Sequence, residues 1–224
     1  MSTFAFIHGA GDVGWYWHLV EAELRAHGHV TVAPDLPVGD DRAGLHAYAD
    51  VVVEAIGGRS DAVVVAQSFG GYVAPLVAER VDARLLVLVA GMVPAPHESA
   101  VEMFAATGWQ PAAVEDASTR AVFYHDVPSD LADEALRRGG RQQSETPGKQ
   151  PWPLDRWPAV PTHAIICRHD RLFPMAWLRR VTHERLGLVP DEIDSGHCPA
   201  LSRPHELADR LAGYLDNQDQ PGPA

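Results

Sequence analysis

Six short apolar runs rich in β-branched residues are separated by stretches long enough to cross a sheet, and this alternation constrains the fold most. The runs are Thr3 to Ile7, Val30 to Ala33, Ala62 to Ala66, Leu85 to Ala90, Thr162 to Cys167 and Val189 to Ile193. Runs that do not alternate with polar residues read as strands buried on both faces, the pattern of a parallel sheet. Between them, amphipathic patterns predict helices over Trp15 to Ala26, Leu45 to Ile56, Tyr72 to Val81, Ala176 to Leu186 and Pro204 to Leu215. Alternating β and α gives an α/β chain, a mostly parallel sheet of about six strands flanked by helices. With 224 residues, 46% of them hydrophobic, the chain is enough for one substantial core and short for two.

One region breaks the alternation. From Met92 to about Pro158 there is no clear strand, prolines recur, and Trp109, Phe123, Tyr124, Trp152 and Trp157 are scattered. The expectation is an insertion above the sheet, over about 92–158, acting as a helical lid. Two helices are expected inside it, Ala100 to Ala106 and Pro128 to Arg138, the second with Ser129 as N-cap ahead of Asp130, Asp133 and Glu134. The polar, Pro/Gly-rich run from Asn217 to Ala224 reads as a frayed tail.

The strongest chemical signal is Ala66-Gln67-Ser68-Phe69-Gly70-Gly71, which follows a strand and precedes a helix. A sharp strand-turn-helix elbow strains its central residue and needs small neighbours on either side, here Ala66 and Gly70. Ser68 would then project its hydroxyl above the sheet, and the Phe69 N–H would face the charge that develops in a tetrahedral intermediate. A serine that merely caps the following helix is the bland alternative. A second element, Phe6-Ile7-His8-Gly9-Ala10-Gly11, is a strand running into a glycine-bearing loop, and Ala10 is its candidate second oxyanion donor. His8 is read as a structural imidazole pinning that loop.

A serine hydroxyl needs a base, and the base needs a carboxylate to fix its tautomer. His197, in Asp194-Ser195-Gly196-His197, follows the last strand run, and Asp170 follows the strand ending Ile165-Ile166-Cys167. Each also has a duller reading, Asp170 as a helix cap near Pro174 and His197 as one of twelve histidines. Asp194 is too near His197 in sequence to come from a separate strand end, and Asp126 belongs to the insertion. Asp35, ending an earlier strand, is expected to hold a loop. Met103, Phe104, Trp109 and Phe123 are expected to line an apolar substrate pocket.

A net charge of −12 argues against nucleic acid and anionic membranes as partners and names none; the small-molecule substrate is expected from the candidate site. The sequence is compatible with a homodimer. The histidines come without HExxH or paired CxxC, so no metal is expected, and Gly9-Ala10-Gly11 lacks the third glycine of a dinucleotide loop, so no cofactor is either. Nothing in Cys167 and Cys198 implies a disulfide framework. The first residues lack a basic segment followed by a long apolar one, and a cytoplasmic protein is expected.

The blocks FIHGAGDVGWYW, AQSFGG, RHDRLFP and DSGHCPALSRP resemble the corresponding blocks of the α/β-hydrolase superfamily, across nearly the whole chain. The order Ser, Asp, His is also that of the superfamily, although Ala66 stands where the GxSxG motif has glycine. More narrowly the chain resembles the small-lid branch of plant methylesterases and hydroxynitrile lyases. The resemblance implies an α/β-hydrolase fold and carboxylesterase-like acyl transfer by Ser68, His197 and Asp170. The lyases carry Thr after the loop histidine and Lys after the catalytic one, where this chain has Gly9 and Cys198. These departures favour the hydrolase side. A lyase, perhydrolase or pathway enzyme on the same site remains a competing reading, as does a non-catalytic ligand-binding protein.

Overall fold

The computed structural model describes residues 1–218. Six strands, β1 (Thr3–Ile7), β2 (Val30–Val32), β3 (Ala62–Gln67), β4 (Leu85–Val89), β5 (Thr162–Cys167) and β6 (Asp191–Ile193), form one sheet in the order β2-β1-β3-β4-β5-β6. Every neighbouring pair is parallel. β1, β3 and β4 are buried along their whole length, which is why their sequences do not alternate. The two edge strands are three residues each. The last strand starts at Asp191 rather than Val189, which is 86% exposed ahead of it.

Helices α1 (His18–Ala26), α2 (Leu45–Ile56), α3 (Ala74–Arg80), α8 (Met175–Leu186) and α10 (Pro204–Gln218) fall where the apolar periodicity placed them. Two begin later than expected, because short 3-10 turns over Gly14–Trp17 and Ser68–Tyr72 precede α1 and α3. α1 packs on α10, and α2 on α3. α10 takes in residues 217 and 218, and the rest of the expected tail, 219–224, lies outside the described residues.

Between β4 and β5 the chain forms α4 (Ala100–Ala106), α5 (Thr119–Phe123), α6 (Ser129–Arg138) and α7 (Thr146–Lys149), and α9 (Pro199–Ser202) follows β6. α4 starts with a reciprocal cap, Glu102 N–H donating to Ser99 Oγ and Ser99 N–H to Glu102 Oε2. Ser129 does not cap α6. Pro128 holds that position, and the Ser129 hydroxyl accepts from Arg120.

The insertion is anchored at both ends. Near its start Glu98 takes a bidentate pair from Arg185 of α8, at 2.5 and 2.9 Å. Near its end the fully buried Trp152 donates Nε1–H to the Tyr72 carbonyl at 3.1 Å and stacks on Trp157. Trp152→Ala is expected to cost about 3–5 kcal/mol of unfolding free energy, measured by urea melts. A loss below about 1 kcal/mol would show that the insertion is held elsewhere.

Candidate active site

The sheet order reverses between β1 and β3: the chain leaves β1 outward to β2, then returns to the other side of β1. Such a switch point opens a crevice at the C-terminal ends of the strands. The loops leaving β1 and β3, which carry Ala10 and Ser68, meet there.

Ser68 follows β3 directly and has φ +53°, a left-handed conformation that a residue with a Cβ adopts at a cost of about 1–2 kcal/mol. The chain after β4 holds it there, Met92 N–H donating to the Ser68 carbonyl at 2.9 Å. Gly71 makes that approach feasible, because a Cβ at this position would fall 2.0 Å from the Met92 carbonyl oxygen. The sequence points to Ala66 and Gly70 as the small neighbours and not to Gly71, since nothing local reports a neighbour from another strand end.

Asp170 and His197 come from the loops after β5 and β6. Asp170 Oδ1 accepts the Leu172 and Phe173 amides at 2.8 and 2.9 Å, and Oδ2 lies 2.7 Å from His197 Nδ1. The carboxylate therefore caps its loop and orients the imidazole at once. With Nδ1–H donated to Asp170, Nε2 keeps its lone pair, and this fully buried atom has no hydrogen-bond partner among the described residues. Phe123 and Phe173 meet the ring edge-on, each at 5.2 Å, and Gln67 Nε2 donates to the His197 carbonyl.

The other titratable candidates are otherwise engaged. His8 Nε2 accepts from Leu36 N–H, so its proton sits on Nδ1 and is donated to the Gly9 carbonyl. Burial lowers its pKa and keeps it neutral. Asp35 accepts from Gly14 N–H, Asp194 faces His169 at the surface, and Asp126 accepts from Gly196 N–H beside His197. Cys198 and Cys167 are buried free thiols whose pKa burial pushes well up, the condition of an unreactive cysteine.

Ser68 and His197 line one cavity of about 640 Å³, with Ala10, Phe69, Phe104 and Phe123 also in its wall. Neither the Ala10 nor the Phe69 amide donates a turn, loop or cap bond among the described residues. Of the four expected pocket side chains, Met103 and Trp109 are corrected. Met103 is fully buried on the core side of α4, one residue and about 100° around the helix from Phe104. Trp109 sits behind the wall, its ring 4.5 Å from that of Phe104 and its Nε1–H donated to the Leu172 carbonyl. Other wall residues escaped sequence reasoning, Gln143 and Asp12 among them. Gln143 reaches from the insertion to accept Gly11 N–H, and Asp12 is a carboxylate pushed up to about 6, chiefly by burial. Asp12's place two residues after Ala10 was a signal, but the direction of a loop side chain was not. Among the described residues no three His, Cys, Asp or Glu side chains come together to hold a metal, and no helix is long and apolar enough to cross a membrane.

Methylesterase 7 of Arabidopsis thaliana is 25% identical over an alignment 249 positions long, covering 95% of this chain and 96% of that protein. The crystal structure of polyneuridine aldehyde esterase superposes with a TM-score of 0.79 at 19% identity, covering 98% of this chain and all (100%) of the other. The pyrethroid hydrolase PytH gives 0.81 at 21% identity, covering 99% and 100%. At such identities the two structures speak for the fold. The family model described as "Alpha/beta hydrolase family" matches residues 4–210, nearly the whole chain, and the chain belongs to that family.

Proposed function

We propose that the protein is a serine esterase acting on small, largely apolar esters, with Ser68, His197 and Asp170 as its catalytic triad. The observation that carries this is the buried His197, oriented by Asp170 at 2.7 Å, with a free Nε2 in the same cavity wall as the strained Ser68. The names of the similar proteins, a methylesterase, an aldehyde esterase and a pyrethroid hydrolase, support ester hydrolysis.

Ser68 Oγ attacks the ester carbonyl as its proton passes to His197 Nε2, and Asp170 stabilises the resulting imidazolium. The Ala10 and Phe69 amides receive the oxyanion. Collapse expels the alcohol, which takes the proton from His197. Water then gives a proton to His197 and attacks the acyl carbon, releasing the acid and restoring Ser68. No ammonium group follows His197, where the chain has Cys198, which supports hydrolysis over cyanohydrin chemistry. The insertion acts as a lid whose Phe104 and Phe123 form the apolar wall, and water exclusion there strengthens each polar contact.

Hydrolysis of nitrophenyl butyrate tests this reading. Ser68→Ala and His197→Ala are each expected to lower kcat by on the order of 10⁴-fold or more, with the double variant no worse than either, because the residues act as a unit. Asp170→Asn is expected to lose about 10³–10⁴-fold. Ser68→Ala with full turnover would overturn the assignment. Phe104→Ala is expected to raise KM about 5- to 10-fold for the butyrate and less than about twofold for the acetate, since the lost contact serves the longer acyl chain. Equal effects on both esters would remove Phe104 from the acyl site.

A further inference from the structure

Several of the polar side chains in the cavity wall are already committed to partners. Arg141 pairs with Asp35, and Lys149 with Glu145. Gln143 spends its oxygen on Gly11 N–H and its amide on Tyr48 and Ser144. Asp12 differs: the only hydrogen bond of its side chain among the described residues is from the Val13 amide to Oδ1, at 2.9 Å, and it enters no ion pair there. The residue lines the cavity, and no hydrogen bond among the described residues reaches Oδ2.

The surroundings of Asp12 favour a positive guest. Its carboxylate abuts the C-terminal end of α6, where a Cβ on Gly139 would fall 2.8 Å from Oδ1, so the helix carbonyls add negative potential. The cations of that helix end are spoken for: Arg137 and Arg138 pair with Glu134, and Arg138 also lies over the Trp15 ring. The other titratable groups that interact electrostatically with Asp12 are the Asp35 carboxylate, the His197 imidazole, the Tyr16 and Tyr124 hydroxyls and the Cys198 thiol, and none of them carries a fixed positive charge. A carboxylate left unpaired in such a site is costly unless something in the functioning complex compensates it.

We propose that Asp12 is a specificity-determining residue that receives a substrate ammonium, so that the preferred substrates are esters carrying a cationic N–H donor on an otherwise apolar acyl or alcohol part. The proposal rests on the serine-esterase reading.

Two pairs of near-isosteric esters test it. Dimethylaminoethyl butyrate is compared with isopentyl butyrate, and methyl dimethylaminobutyrate with methyl isoheptanoate, so that charge is placed on either side of the ester. At about pH 7.5 the cationic member of at least one pair is expected to lead by about tenfold or more in kcat/KM. Asp12→Asn keeps the acceptor for Val13 N–H and is expected to bring that ratio to near unity. In the unsubstituted protein the ratio is expected to fade as pH drops through about 6, where Asp12 takes up its proton while the amine stays charged. A second readout is stability. The Asp12 carboxyl binds its proton more tightly folded, at about 6, than at its ordinary 3.8, so the folded state loses stability as pH rises between these values. Asp12→Asn is therefore expected to melt higher than the unsubstituted protein at about pH 7.5, with the gap closing below about pH 4. No preference for a cationic ester, or a preference that survives Asp12→Asn, overturns the proposal while leaving the esterase reading intact. Absence of Ser68-dependent turnover of all four esters overturns both.

Discussion

The left-handed backbone at Ser68 is the constraint on which the surrounding structure depends. A residue with a Cβ held at φ +53° relaxes unless its neighbours forbid it, and here they do. β3 enters the turn buried on all sides, the 3-10 turn and α3 leave it at once, and Met92 from the end of β4 closes on Gly71 and bonds the Ser68 carbonyl. The sheet order places that turn beside the loop from β1, so a hydroxyl and the Ala10 loop share one crevice. Strain of about 1–2 kcal/mol is small against the burial of three central strands.

A second departure from ordinary packing lies a few residues away in space. His197 Nε2 is buried without a partner, a condition that costs about 1–3 kcal/mol in a core. The ring cannot turn to relieve it, because Nδ1–H is held by Asp170, Asp170 is held by two amides, and Phe123 and Phe173 flank the ring. A lone pair fixed in direction and screened from water is what a general base requires. Asp12 is a third such departure in the same wall, and strain, an orphaned lone pair and an unpaired carboxylate rarely gather without function.

The parts legible in the sequence were those where local pattern and tertiary role coincide. Strands buried on both faces announce themselves as unbroken apolar runs, and Ser68, Asp170 and His197 stand just past such runs, so their placement at one sheet edge followed from the α/β alternation. What was not legible depends on contacts between distant segments. The phase of α4 about its axis puts Phe104 in the wall and Met103 in the core, and two adjacent apolar residues do not report which is which. Gly71 is explained only by the Met92 carbonyl, and Ser129 is drawn from its expected cap by Arg120. α5 and α7, at five and four residues, are too short to show periodicity.

Reaction with a serine-directed fluorophosphonate, read as adduct mass and site by peptide mass spectrometry, tests the central claim without a known substrate. The proposed chemistry predicts a single adduct on Ser68, formed at least about a hundredfold more slowly in His197→Ala, whose serine has lost its base. A folded protein with no adduct on Ser68, or one labelled equally fast without His197, would contradict it.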